Sequence, residues 1–247
     1  MSLEPWQWVL AVVGALAIGL AKTGISGLGM LAVVIFANLM PARHASGFVL
    51  PMLVIADVVA VASYRRHARW SYLLKLFPWT AVGVIAGYFA LGRIDDRQTR
   101  LLIGFIVLAL LILHVVRRTR VKPEAEQAPE HGWWYAPVFG ILAGFTTLVA
   151  NAAGPLMVIY LLSMSLPKLE YMGTGAYYFL LMNLFKVPFM VSLGLIDAHS
   201  LRGDLVLLPA VIVGALLGRV ILQRINQKVF ENLALGLSAL AGLRLLF

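Results

Sequence analysis

The sequence has no cysteine, few charges and no polar stretch long enough to build a soluble domain. Without cysteine there are no disulfides, thiolate nucleophiles or cysteine-ligated metals, and compartment is left open. Only 13% of the 247 residues are charged and 61% are hydrophobic, against roughly 45–50% apolar in a soluble domain. That balance excludes a water-soluble globule and indicates an integral membrane protein. The five histidines, His44, His67, His114, His131 and His199, lack metal-ligand spacing, and no serine, histidine and acid triplet stands in a credible context. The glycine-rich windows match neither a P-loop nor a dinucleotide fingerprint, because Lys22 precedes its glycines and no soluble strand precedes them. Neither an enzyme nor a bound cofactor or metal is expected. The net charge of +9 is not gathered into a basic domain with interleaved aromatics; Lys and Arg flank the apolar runs, which indicates membrane topology and not nucleic acid.

What is present is a run of apolar segments in two sets of five. They cover roughly residues 6–21, 25–40, 46–64, 72–91 and 98–117, then 134–149, 152–165, 173–194, 204–222 and 228–246. Each is expected to be helical, since backbone polar groups in hydrocarbon must be satisfied within their own segment. The first twenty residues carry Glu4, no basic start and no small-residue cleavage site, so they read as a first membrane segment and not a signal peptide. The two sets share landmarks. Gly19 and Gly29 fall on Gly144 and Gly154 at a spacing of 125; Pro41, Gly47 and Asp57 fall on Pro167, Gly173 and Asn183 at 126; Pro78, Gly83, Gly87 and Arg93 fall on Pro209, Gly214, Gly218 and Arg224 at 131. The expected fold is therefore all-α and membrane-embedded, with two pseudo-symmetric repeats over residues 1–118 and 133–247 and a polar linker over 119–132.

Each repeat opens with two short runs, below the roughly 20 residues a span requires. They form either a re-entrant hairpin or one broken helix, giving eight to ten membrane segments in all. With five segments per repeat, Arg65, Arg66, Arg69, Arg117, Arg118, Arg120, Lys122, Lys168, Arg219, Arg224 and Lys228 share one side, and only Arg43, Arg93, Arg97, Arg100, Arg202 and Arg244 lie opposite. The richer side is expected to be cytoplasmic, and an odd segment number inverts the second repeat. Trp6, Trp8, Trp133, Trp134 and Tyr135 read as interfacial anchors in contact with lipid.

Interrupted segments at matching positions of two repeats mark the substrate site of secondary transporters. The first interruption places Lys22, Thr23, Gly24, Ser26 and Gly27 in an apolar run, and the second places Asn151 and Ala152 just before Gly154 and Pro155. A helix restarting at about Ser26 presents free N–H groups and a positive dipole end, an anion site. Against this, the glycines could serve close helix packing, and Lys22 could snorkel to an interface. Asp57 lies in the middle of the third segment; proton carriage, a salt bridge to Lys22 or Lys186, and a structural hydrogen bond are its candidate roles. Its repeat mate Asn183 stands one helical turn before Lys186, a candidate anion contact. Arg43 is placed at the mouth after the second segment as a gating candidate.

At these residues the chain resembles the sulfite exporter TauE/SafE family. The carriers are GLAKTGISGLG at 19–29, PARHASGFVLPMLVIADVVAV with YRRHARW at 41–70, and GFTTLVANAAGPLMVIYLL, LPKLEYMGTGAYYF and NLFKVPF in the second repeat. The resemblance spans nearly the whole chain. It implies a multi-pass inner-membrane transporter that works without ATP on a small anion, sulfite, sulfoacetate or another organosulfonate. Many members carry a fuller triple-glycine run followed by proline; Ser26-Gly27-Leu28-Gly29 departs from that pattern, which leaves specificity open. A passive small-anion channel on the same repeats is the alternative. Oligomeric state, a homodimer included, is not readable from these residues.

Overall fold

The computed structural model describes residues 4–91 and 132–246, together with isolated positions between 93 and 116. The first repeat's fifth run, the linker, His114 and His131 thus lie almost wholly outside the described residues. Among the described residues the regular structure is entirely helical. The helices are α1 (Pro5–Thr23), α2 (Gly29–Leu39), α3 (Ala42–Tyr64), α4 (Trp70–Ala90), α5 (Tyr135–Ala150), α6 (Gly154–Ser163), α7 (Lys168–Ser192), α8 (Ala198–Arg224) and α9 (Gln227–Leu246), with a short 3-10 turn at Arg65–His67. Four helical stretches, Pro5–Thr23, His44–His67, Trp70–Ala90 and Ser200–Arg224, are long and apolar enough to cross a membrane. Their outward faces carry Val9, Val12, Leu74, Phe89, Leu205, Val213 and Leu216, all exposed, as a lipid-facing surface requires. Pro51, Pro78, Pro188 and Pro209 sit inside helices, which membrane helices tolerate.

The short helices form hairpins. Gly14 of α1 lies against Ile35 and Phe36 of α2, while Ala21 lies against Gly29, so the two helices run antiparallel. In the second pair the Tyr135 hydroxyl donates to Ser163 Oγ at 2.7 Å, and the Tyr135 and Tyr160 rings stack at 5.7 Å, which places the start of α5 beside the end of α6. The interruptions are hairpin tips and not breaks in a continuing helix.

Two parallel helix pairs are held by glycines. A Cβ on Gly19 would collide with the backbone of Val211 and Ala215, and one on Gly214 with the backbone of Leu16, so α1 and α8 meet backbone to backbone. Gly144 against Thr80 and Val84, and Gly83 against Ile141, make the matching contact between α5 and α4. Small residues at such crossings exchange side-chain volume for backbone approach. Between the pairs, α3 and α7 run antiparallel: Gly47 near the start of α3 meets Leu195 just past α7, and Gly173 near the start of α7 meets Tyr64 and His67 at the end of α3. Because α2 leads into α3 and α6 leads into α7, the two hairpins enter from opposite ends of this central pair.

One end of the bundle collects the basic residues of the richer side that are described. Arg69 makes a two-pronged contact with Glu170, both N···O distances 2.7 Å, and its backbone N–H donates to Thr174 Oγ1 at 2.9 Å. Lys168 Nζ donates to the carbonyls of Leu222, at 3.0 Å, and Ile225, closing the last turn of α8.

Candidate functional site

Each tip is shaped by residues suited to leaving a helix. At the end of α1 the N–H groups of Gly24 and Ile25 both donate to Leu20 O, at 2.9 and 3.0 Å. Gly27 then adopts φ of +103°, a region side chains disfavour, and presses on Leu237 of α9. At the end of α5, Asn151 takes the left-handed conformation with φ of 51°, and the N–H groups of Asn151 and Ala152 donate back to Thr147 and Thr146 at 3.1 Å each. Asparagine is among the few residues that adopt this conformation readily. Both following helices begin beside the tips, α2 at Gly29 rather than at Ser26, since Gly24 to Leu28 are consumed by the turn.

The tips meet the middle of α3 and α7 in two polar clusters. In the first, Lys22 Nζ lies 2.8 Å from Asp57 Oδ1, and Asn183 Nδ2 donates to Asp57 Oδ2 at 2.6 Å. The lysine contact is an ion pair. Asp57 and Asn183 are the positions matched by the internal spacing, and here they touch. In the second cluster Lys186 Nζ donates to Thr147 O at 3.0 Å, Thr147 Oγ1 at 3.1 Å and Asn151 Oδ1 at 2.6 Å. Asn151 Nδ2 in turn donates to Ser46 O at 2.9 Å, which fixes the amide with its oxygen toward the lysine. Asp57 and Lys186 are fully buried, whereas the Lys22 side chain keeps 12% exposure.

Between the tips lies a cavity of about 80 Å³. Lys22, Ser26 and Gly27 line it from the first hairpin, Asn151, Gly154 and Pro155 from the second, and Asn183 from α7; Val49, Leu53, Val158, Met172 and Phe179 supply apolar wall. Lys22 is the one charged side chain on this wall among the described residues. Its ammonium also sits 3.9 Å over the Phe179 ring.

The sulfite exporter TauE/SafE family model matches residues 10–245. The chain belongs to that family. A curated relative, the "Probable inner membrane transporter protein TsaS" of Comamonas testosteroni, is 27% identical over 201 residues, covering 81% of this chain and 81% of the relative. No solved structure matches the chain significantly. The two glycine-rich stretches that resemble the family, GLAKTGISGLG and GFTTLVANAAGPL, are the two hairpin tips with their approaches.

The residues singled out from sequence take different places around these tips. Lys22, Ser26, Gly27, Asn151 and Asn183 line the cavity. Thr23 does not: it is fully buried and its hydroxyl donates to Ala215 O at 2.5 Å and Gly19 O at 3.1 Å, tying α1 to α8. Gly24 packs on Gly218 of the same helix, and Ala152 is buried behind the second tip. Lys186 stands outside the wall and supports Asn151 from behind. Asp57 stands behind Lys22. Arg43 begins α3 one residue in, and its side chain lies outside the described residues. Sequence reasoning missed Ser46 and Phe179. Ser46 precedes the repeat-matched Gly47, the sole signal that could have found it; an aromatic among apolar residues, such as Phe179, carries none.

Proposed function

We propose that this protein is a secondary, ATP-independent transporter of the inner membrane that moves a small sulfur-containing anion, such as sulfite, sulfoacetate or another organosulfonate, by alternating access. The observation that carries the reading is the Lys22 ammonium on the wall of a cavity formed where two oppositely entering hairpin tips meet. The N-terminal ends of α2 and α6 reach the same cavity through Gly29 and Gly154, so both helix dipoles favour negative charge there. Family membership and the relative's name as an inner membrane transporter support transport over chemistry, and no enzymatic role is assigned. Asp57, paired with Lys22 and facing no open solvent, is the proton carrier in this reading. The inverted arrangement of two repeats, with the basic end cytoplasmic, completes it.

The test is flux of sulfite and organosulfonates into proteoliposomes. Saturable uptake that is lost in Lys22→Ala supports a carrier, and normal uptake in Lys22→Ala together with Lys186→Ala removes the cationic site. Uptake that never saturates would instead assign a passive anion channel.

A further inference from the structure

The polar centre has an unequal charge inventory. Counted by formal charge, Lys22 and Lys186 bring two positive charges and Asp57 brings one negative charge. Asp57 is committed to Lys22, while Lys186 is surrounded by neutral acceptors only, Thr147 and Asn151. Its three hydrogens meet three neutral acceptors, and the nearest carboxylate, Asp57, is in direct contact with Lys22 instead. The surplus of one positive charge lies beside a cavity whose other walls are largely apolar, where uncompensated charge is costly.

We infer that the site holds one net negative charge at a time: a monoanion enters as such, and a dianion enters only together with a proton on Asp57. The inference rests on the reading of this cavity as the anion site. A monoanion on Lys22 brings the centre from one surplus positive charge to neutrality. A dianion leaves one negative charge in excess, and a proton taken up by the Asp57 carboxylate from the aqueous side restores the balance. The groups facing Asp57 are few. Lys22 faces it from α1, and Asn183 and Lys186 from α7. On α3 itself Tyr64 turns to Thr23 O. Helix α2 has no titratable residue, and the one on α5, Tyr135, sits at the foot of its hairpin. On α8, Arg219 lies toward Tyr64, and Asp204 follows Gly203, which abuts Phe48 near the other end of α3.

The experiment uses ethanesulfonate, a monoanion, and ethane-1,2-disulfonate, a dianion, both strong acids whose charge is fixed across pH 6–8. Uptake of each is measured in proteoliposomes with the full chain. In wild type, ethanesulfonate should be preferred by about tenfold or more at pH 8, the scale of one uncompensated charge at partly screened distance. Lowering the pH to 6 should raise disulfonate uptake and leave ethanesulfonate unchanged. Asp57→Asn should abolish the pH response and move the preference toward the dianion by about tenfold. Should that variant fail to fold by size-exclusion, a wild-type ratio that stays flat between pH 6 and 8 still overturns the inference. A ratio that does not move with pH, or an Asp57→Asn protein with the wild-type preference, overturns the inference while transport stands. Absence of uptake for both sulfonates and for sulfite overturns the transport reading, and the inference with it.

Discussion

Exchanging Gly19 for alanine separates the two meanings a membrane glycine can have. In an unobstructed helix interior, Gly→Ala is stabilising by roughly 0.5–1 kcal/mol, because the glycine chain loses more freedom on folding. Gly236 of α9 meets that condition: nothing lies within 4 Å of a Cβ built there. At Gly19 the same methyl would enter the backbone of α8 at Val211 and Ala215, which cannot rotate away as a side chain can. The helices must part, at an overpacking cost of about 1–3 kcal/mol. Parting them also strains the Thr23 bond to Ala215 O, a type of interhelical bond worth about 0.6 kcal/mol on average. The net expectation is destabilisation by about 2 kcal/mol for Gly19→Ala against a small gain for Gly236→Ala. Gly14→Ala should fall between them, since its obstacle at 2.8 Å is the Phe36 ring, which can tilt. Equilibrium unfolding in mixed micelles, read by tryptophan fluorescence, measures all three. Equal stabilities for Gly19→Ala and Gly236→Ala would refute the backbone-contact reasoning.

Lys22→Ala leaves Asp57 buried without its cation and should destabilise by about 3–5 kcal/mol, while Lys22→Ala with Asp57→Ala should recover much of that loss. Thermal unfolding reads the recovery, and uptake assays should find both proteins inactive. Thr147→Val removes one acceptor from the buried Lys186 and should cost about 1–3 kcal/mol in the same unfolding measurement. Lys168→Met should loosen the end of α8, seen as faster amide exchange at Leu222–Ile225, with uptake retained.

Much of the helix plan was legible because hydrocarbon permits little else. The limits of α4 and α9 fall within two residues of the apolar runs. Helices α7 and α8 begin five or six residues earlier than their runs, at Lys168 and Ala198. Those first turns are polar: α8 starts with a capping box in which Asp197 accepts from Ser200 N–H at 2.7 Å, a signal that hydropathy does not register. At the site, the density of glycines around Lys22 located the first tip, and Asn151 beside Pro155 located the second. What the spacing could not show was which glycine shapes a tip and which serves a crossing. Gly19 and Gly144, matched at a spacing of 125, belong to the helix crossings, while the tips turn at Gly27 and Asn151, which have no counterpart at the same offset. Packing partners come from distant sequence, and only the folded chain reveals them.

The glycine crossings also determine what can travel as one body. Helix α1, with the first tip at its end, is locked to α8, and α5, with the second tip, is locked to α4. Each tight pair takes one helix from each half of the sequence, so a rocking motion of the first half against the second would have to tear both seams. An alternating cycle that spares them divides the molecule differently, into an α1 and α8 body and an α4 and α5 body. The hinge would then be the antiparallel α3 and α7 pair, where Asp57 and Asn183 touch. The halves that the sequence spacing matches are thus not the units that such a cycle would move.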